Sequence, residues 1–382
     1  MRKVPSIQSM LTGQGTLVVK IGSSLLIDEQ GGLRHAWMTT LCERLSRRAG
    51  PVVLVSSGAI ALGRSALGLD SRPRLLAQAQ AAAAVGQIHL AGAWSACWQD
   101  QGRVAAQILL TLGDLEQRRQ YLNARATLET LIERGIVPVV NENDTVATEE
   151  IRFGDNDRLA ARVAQLLAAE ALLLLSDVDG LYDRDPGQDH RARHIPRVQA
   201  ISAGIEAMAG STGSRGVGTG GMSSKLAAAR IATAAGVPVA LSSGLADDPI
   251  QALANGGRHT LFEASARPLA QRKQWLSGLQ QVAGTLQIDA GAARALYSGA
   301  SLLSVGLTDV EGDFDRGDLV SIEAPDGPVG RGLSAYSSED VRRIAGCQSE
   351  HLVAILGGSS RGAVVHRDDI VLDSALRHCA DR

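Results

Sequence analysis

Six short apolar runs divide the first 242 residues, and helix-like segments separate them. The runs are TLVVKIG (16–22), VVLVS (52–56), RVAAQILL (103–110), IVPVV (136–140), ALLLLS (171–176) and VPVAL (237–241). Short runs rich in valine, isoleucine and leucine suit strands that are buried on both faces. The stretches near 36–49, 58–68, 74–100, 122–134, 157–169 and 222–235 have helical spacing or helix-forming composition. Such alternation predicts an α/β layered domain with a largely parallel sheet, extending to about residue 262. Ligands of these sheets sit beyond the carboxyl ends of the strands. The polar residues that follow each run are therefore the first candidates for function.

The texture changes after about residue 265. ARPLAQRKQWLSG reads as a linker or a last helix. From 284 the runs GTLQID, SLLSVG, GDLVSIE, PVGRGLSAY and HLVAILG read as short strands between turn signals. Glycine or aspartate recurs there at roughly 8–12-residue spacing, which predicts a small β-barrel. A boundary near 270–283 follows. The whole chain is 45% apolar and 20% charged with net charge −2, so it is neither disordered nor a polycation built for nucleic acid. No uncharged apolar run reaches the ~18 residues of a membrane span. The start, MRKVPSIQSM, has no apolar signal core behind its basic residues. Cys42, Cys97, Cys347 and Cys379 lack zinc-knuckle or redox CxxC spacing. They read as reduced thiols of a cytoplasmic protein, mostly filling the core. His190 and His194, in HRARH, read as solvated rather than metal-ligating.

Of 38 basic residues only four are lysine: Lys3, Lys20, Lys225 and Lys273. Two of them stand where a phosphate site would need a compact point charge. Lys20-Ile21-Gly22-Ser23-Ser24 ends the first run. Gly216-Val217-Gly218-Thr219-Gly220-Gly221-Met222-Ser223-Ser224-Lys225 opens a helix. Glycines let the backbone approach a polyphosphate, and a helix N-terminus favours negative charge. The second stretch matches G-x-G-x-x-G without a preceding strand, and it lacks GK[ST], so neither the dinucleotide fold nor a Walker A loop is indicated. Ser56-Ser57-Gly58 lies between a strand and a helix, where a serine N-cap is the simpler reading. Asn141-Glu142-Asn143-Asp144-Thr145 and Gly154-Asp155-Asn156-Asp157 put seven Asn, Asp or Glu residues within 17 positions. Such groups can bind an ammonium, orient lysines or order a metal, and no EF-hand ladder is present. Ser176-Asp177, ending ALLLLS, could line a nucleotide pocket.

Together, VVKIGSS, SSGAIALG, NARATLETL, VPVVNENDTVAT, FGDNDRLAARVA, LLLLSDVDGLY, GTGGMSSKLAAARIA and RPLAQRKQW resemble the glutamate 5-kinase branch of the amino acid kinase family. The run SLLSVGLTDVEGDFDRGDLVSI…GLSAYSSEDVRRIAG resembles the PUA domain appended to many of these kinases. Ser56 and Ser176 stand where the family commonly has threonine. The resemblance covers about 16–368 and implies a three-layer kinase domain over 14–270 and a PUA-like domain over 284–366. It implies glutamate binding by Ser57, Asp144 and Asn156. It implies that Lys20 and Lys225 stabilise the phosphoryl group, with Asp157 orienting both. It gives ATP contacts to Lys20, Ser176, Asp177, Thr219, Gly220, Gly221, Met222, Ser223, Ser224 and Lys225. Mg2+ would arrive mainly through ATP oxygens, with no protein metal ligand. The family further suggests dimers or tetramers, delivery of the product to a reductase on the route to proline, and inhibition by proline.

The residue chemistry agrees with this resemblance. A glutamate side chain, with a reference pKa of ~4.3, is already ionised at pH 7 and needs no general base. No histidine lies in these motifs. Catalysis reduces to in-line positioning and neutralisation of negative charge. Another amino acid kinase, acting on acetylglutamate, aspartate, carbamate or UMP, is the nearest alternative. The paired NEND and GDND motifs and the PUA-like tail speak against it. An RNA-binding protein is the alternative from another class. Residues 284–382 hold nine arginines and no lysine against fifteen acidic residues, a poor partner for phosphate backbone.

Overall fold

Each of the six apolar runs becomes a strand: β1 Leu17–Ile21, β2 Val52–Ser56, β3 Ala105–Leu110, β4 Val137–Glu142, β5 Ala171–Ser176 and, after three two-residue strands, β9 Val239–Ser243. The short strands are β6 Leu181–Tyr182, β7 His194–Ile195 and β8 Arg197–Val198, and β10 is His259–Phe262. This computed structural model describes residues 6–28, 30–69, 73, 75–146, 156–210, 221–265, 282–356 and 362–372. The chain divides into two compact units, Met1–Glu116 with Asn123–Pro268, and Gln117–Leu122 with Leu269–Arg382.

In the first unit the strand order is β3-β4-β2-β1-β5-β9-β10-β8. The first six are mutually parallel, as the alternation predicts. β10 runs antiparallel to β9, a reversal that the sequence pattern does not reveal. The principal helices are α1 His35–Ser46, α2 Ala59–Ala66, α3 Leu76–Gln99, α4 Arg118–Glu133, α5 Asn156–Leu166 and α6 Met222–Ala234. Successive strand side chains point to opposite faces. Leu17, Val19 and Ile21 join Trp37, Met38, Leu41, Trp94 and Trp98 in one core, which places α1 and α3 on that face. Val18 and Lys20 point the other way, and α5 crosses β1, β2, β4 and β5. The result is a helix–sheet–helix sandwich.

The amino-terminal edge of this sheet is closed by a buried arginine. Arg48 donates from Nε to Met10 O at 3.1 Å, from Nη1 to Gly15 O at 2.5 Å and Pro51 O at 3.2 Å, and from Nη2 to Glu170 Oε2 at 3.0 Å. The same Glu170 oxygen accepts from Gly15 N at 2.7 Å. A planar fork with five donors suits such a cage of carbonyls.

Cys42 and Cys97 are free thiols buried in the core on α1 and α3, as expected of filler thiols, with Cys97 Sγ 3.7 Å from Thr39 Oγ1. His194 departs from the solvated reading. It is half-buried in the β6–β7 ribbon, with its ring 5.3 Å from that of Tyr182 in an edge-on arrangement. His190 is exposed.

The second unit builds a five-stranded sheet from β11 Gly284–Ile288, β13 Leu307–Gly312, β14 Leu319–Ala324, β15 Gly327–Leu333 and β17 Ile370–Leu372, in the order β13-β11-β14-β15-β17. A separate pair joins β12 Leu302–Leu303 to β16 Ala363–Val365. Leu286, Ile288, Phe314, Val320, Ile322, Val329 and Tyr336 share its core. Helices α7 Ala290–Tyr297 and α8 Ser338–Ile344 lie between strands. Two expected strands differ. SLLSVG forms only the two residues of β12 before a single 3-10 turn. HLVAILG is not a strand, since Leu352–Leu356 forms helix α9. Only Leu352 there is fully buried, with Ile355 and Leu356 half-buried and Val353 exposed. That is a helical period, which a five-residue apolar run cannot announce by itself. The segment read as a linker or last helix, ARPLAQRKQWLSG (266–278), lies outside the described residues.

Helices α2 and α3 cross backbone to backbone. A Cβ on Gly63 would lie 1.8 Å from Ala82 O, and one on Gly86 would lie 1.8 Å from Ala59 O. Gly92, on the same α3, has nothing within 4 Å of that position. Gly86→Ala and Gly63→Ala should therefore each lose about 1–3 kcal/mol or more by forcing the helices apart. Gly92→Ala should gain up to about 1 kcal/mol by removing a mid-helix glycine. Urea denaturation of the three variants checks this, and equal effects at Gly86 and Gly92 would remove the crossing as the reason for these glycines.

Candidate active site

The carboxyl ends of β1, β2, β4 and β5 converge on one side of the sheet, and α5 and α6 begin there. Lys20 lies on β1, and its Nζ is 2.6 Å from Asp157 Oδ1. Lys225, in the first turn of α6, places its Nζ 3.4 Å from Asp157 Oδ2. The three residues are 5%, 1% and 5% exposed for Lys20, Asp157 and Lys225. Burial pushes the Asp157 carboxyl up, but the Lys20 and Lys225 ammonium groups outweigh it and hold the acid below its ordinary range. Asp157 also stands in the first turn of α5, where the helix dipole favours a carboxylate. One negative and two positive charges leave a net positive site with little water. Gly221 caps the start of α6 without any side-chain hydrogen bond, which leaves helix N–H groups facing the same end. Two ammonium groups and a helix N-terminus make a site for a polyanion.

Beside it lies a network of amides. The Glu142 N–H is shared between Asn141 Oδ1 at 2.8 Å and Asn156 Oδ1 at 3.2 Å. Asn156 Nδ2 donates to Asn141 Oδ1 at 3.1 Å, and Asn141 Nδ2 donates to Gln87 Oε1 at 2.7 Å. Asn141 and Asn156 are buried. Of the two N–H donors of the Asn156 carboxamide, one is engaged by Asn141. Asp144 follows β4 and is 6% exposed, with Oδ1 lacking a hydrogen-bond partner. Burial pushes its carboxyl up to about 6. A buried carboxylate without a partner is costly, and a cationic ligand would relieve that cost.

Ser57 is half-buried beyond β2, and its N–H donates to Ile21 O at 3.2 Å, which ties the turn to the end of β1. Gly58 follows with φ +114°, a conformation that favours glycine, and α2 starts from it. The preceding Ser56 is fully buried. Its Oγ accepts from Trp94 Nε1 at 2.8 Å, and a serine hydroxyl suffices where the family commonly has threonine. At the end of β5, Ser176 Oγ donates to Asp177 Oδ1 at 2.9 Å, with Asp177 exposed. Gly221, Met222, Ser223, Ser224 and Lys225 open α6. Thr219, Gly220, Gly154 and Asp155 lie outside the described residues. Among the expected site residues, direct contacts join Lys20, Asp157 and Lys225. Gln87 and Trp94 were not singled out by sequence. Their only signal is polar character and seven-residue spacing on one face of an alanine-rich helix.

Residues 15–242 match the amino acid kinase family, and residues 284–356 match the PUA domain. A protein named glutamate 5-kinase from Paramagnetospirillum magneticum is 52% identical over 370 residues, covering 96% of this chain and 100% of that protein. One of the same name from Sphingopyxis alaskensis is 54% identical over 361 residues, covering 93% of this chain and 97% of its own length. Another, from Rhizobium etli, is 50% identical over 370 residues, covering 96% and 95%. With the buried lysine pair at the carboxyl end of a parallel sheet, these matches place the chain in the amino acid kinase family, with a PUA domain following the kinase domain.

Proposed function

We propose that the chain transfers the γ-phosphoryl group of ATP to the side-chain carboxylate of L-glutamate, giving γ-glutamyl phosphate, the first step of proline biosynthesis. The observation that carries this reading is the buried Lys20–Asp157–Lys225 triad, with an amide network and the buried acid Asp144 belonging to the same strand and helix ends. Identity of 50–54% to proteins named glutamate 5-kinase supports glutamate as the acceptor.

The chemistry follows from charge. The acceptor carboxylate is anionic and must meet a triphosphate, so the residues have to neutralise charge without supplying a base. Lys20 and Lys225 reach the transferring phosphoryl group, and Asp157 holds both ammonium groups in place. Ser176, Asp177 and the segment Thr219–Lys225 contact ATP. Ser57, Asp144 and Asn156 hold glutamate: Asp144 takes its α-ammonium, and the remaining Asn156 N–H takes a carboxylate oxygen. Among the described residues no group of three His, Cys, Asp or Glu side chains is disposed to hold a metal, and the Asp157 carboxylate is engaged by lysines. The residues thus suit a Mg2+ ion that arrives on ATP and supplies further neutralisation there. We assign the kinase domain to 14–270 and the PUA-like domain to 284–366. The reading extends to a cytoplasmic dimer or tetramer, coupled to a glutamyl phosphate reductase and inhibited by proline. No helix among the described residues is long and apolar enough to cross a membrane. The acidic tail argues against RNA binding by the PUA-like domain.

Incubation with glutamate and ATP, trapping the acyl phosphate with hydroxylamine, tests the reaction. Hydroxamate should form with glutamate and not with acetylglutamate, aspartate or carbamate. Three further outcomes are expected. Lys225→Ala should lower kcat by at least about 10²–10³, with glutamate affinity nearly unchanged, because its charge contact strengthens in the transition state. Turnover within a few-fold of the parent would remove Lys225 from the chemistry.

Adjacent residues should separate binding from catalysis. Asn156→Ala should raise the glutamate KM about ten- to a hundred-fold and leave the ATP KM nearly unchanged. Asp157→Asn should depress kcat with less effect on glutamate binding. Identical kinetic signatures would collapse the division of roles.

The raised carboxyl of Asp144 gives a pH dependence with a definite sign. The ionised form binds the substrate ammonium, so affinity is full above about 6 and is lost as pH falls. The glutamate KM should rise about ten-fold for each pH unit below 6, with the ATP KM flat across that range. A glutamate KM that stays level to pH 5 would separate Asp144 from the ammonium.

A further inference from the structure

The amide that contacts glutamate in the reading above does not fix its own orientation. A primary carboxamide has two ends of nearly equal size, one accepting and one donating. Turned the wrong way, Asn156 would present Oδ1 to a substrate carboxylate and repel it. The Glu142 N–H can only donate, but its one proton is shared between two oxygens, so it constrains the pair of amides without fixing either alone. It draws both Asn141 Oδ1 and Asn156 Oδ1 towards itself, at 2.8 and 3.2 Å. Asn156 Nδ2 then donates to Asn141 Oδ1 at 3.1 Å, and Asn141 Nδ2 must donate outward. It meets Gln87 Oε1 at 2.7 Å, the shortest bond in the chain of amides.

We infer that Gln87, on α3, is a positioning residue for the amino acid substrate, acting through Asn141 to hold the Asn156 carboxamide with an N–H towards the bound carboxylate. The inference rests on the glutamate kinase reading and assigns to Gln87 a part that its place in an alanine-rich helix does not suggest. Its location is well braced. Gly86, its neighbour, lies in the backbone crossing with α2, where no Cβ can be accommodated. Seven residues on, two turns along the same face, Trp94 Nε1 donates to Ser56 Oγ at 2.8 Å, next to Ser57. One face of α3 therefore fastens the ends of both β2 and β4.

The role requires an acceptor at the end of the residue 87 side chain. Gln87→Glu keeps one at the same length, and Gln87→Met fills the space without one. Gln87→Met should raise the glutamate KM about three- to ten-fold, with kcat and the ATP KM within about two-fold of the parent, and Gln87→Glu should recover most of that loss. In an Asn156→Ala background, Gln87→Met should add nothing, since residues acting through one another are not additive. Thermal melting of each variant accompanies the kinetics. An unchanged glutamate KM in Gln87→Met overturns the inference, as do equal KM increases in the Met and Glu variants or a full further effect in the Asn156→Ala background. Should the Met variant fail to fold, Gln87→Ala takes its place, and an unchanged glutamate KM there, or a full further effect in the Asn156→Ala background, again overturns the inference. Failure of the parent protein to yield hydroxamate from glutamate would instead sink the kinase reading itself.

Discussion

Asp157 carries the electrostatic constraint on which the site depends. Two ammonium groups are held with 5% exposure each, and a buried charge without a partner is costly. The single carboxylate between them, at 2.6 and 3.4 Å, makes their burial tolerable while leaving the group net positive. It also joins elements that are far apart in sequence: Lys20 belongs to the central strand β1, Lys225 to the start of α6, and Asp157 to the start of α5. In the sheet order β1 lies between β2 and β5, and its carboxyl end meets the starts of both helices through Asp157 and Lys225.

The amino acid end of the site uses a different principle. Charge there is sparse, and direction is set by neutral amides whose donors and acceptors are counted out one by one. The Glu142 N–H has a single proton to give and shares it between two oxygens. Two buried carboxylates stand among the amides, Glu142 and Asp144, and one Asp144 oxygen lacks a hydrogen-bond partner. Strong fields where phosphate is handled and fixed dipoles beside them let neighbouring residues in one motif serve opposite purposes.

Much of this was legible before the fold was seen, and the reasons are physical. Buried parallel strands advertise themselves as apolar runs, and even the sheet-edge strand β3, only partly buried and interrupted by Gln107, keeps enough of that pattern for all six to be located within a few residues. Lys20 and Lys225 stood out because lysine is rare in this chain. The job of Asp157 came from family resemblance, since no spacing reveals which of four acidic residues across two motifs faces two distant lysines. Arg48 was invisible for the converse reason: among 34 arginines, nothing in the sequence distinguishes a buried one from a solvated one. HLVAILG misled because five apolar residues fit a helix turn as well as a strand. Gln87 was hidden because a helix shows its periodicity through contrast between apolar and polar residues, and here nine of 24 positions are alanine, which blurs it.

The glycine crossing of α2 and α3 has a mechanical consequence. With backbones in contact at Gly63 and Gly86, no side chains lie between the helices at that point to act as a compliant layer. Packed interiors resist small continuous deformations and rearrange by discrete steps. A shift of either helix at the crossing therefore meets backbone, not a yielding side chain, on the other. Because α2 starts at Gly58 beside Ser57 and α3 carries Gln87 and Trp94, the same rigid contact lies behind the ends of both β2 and β4.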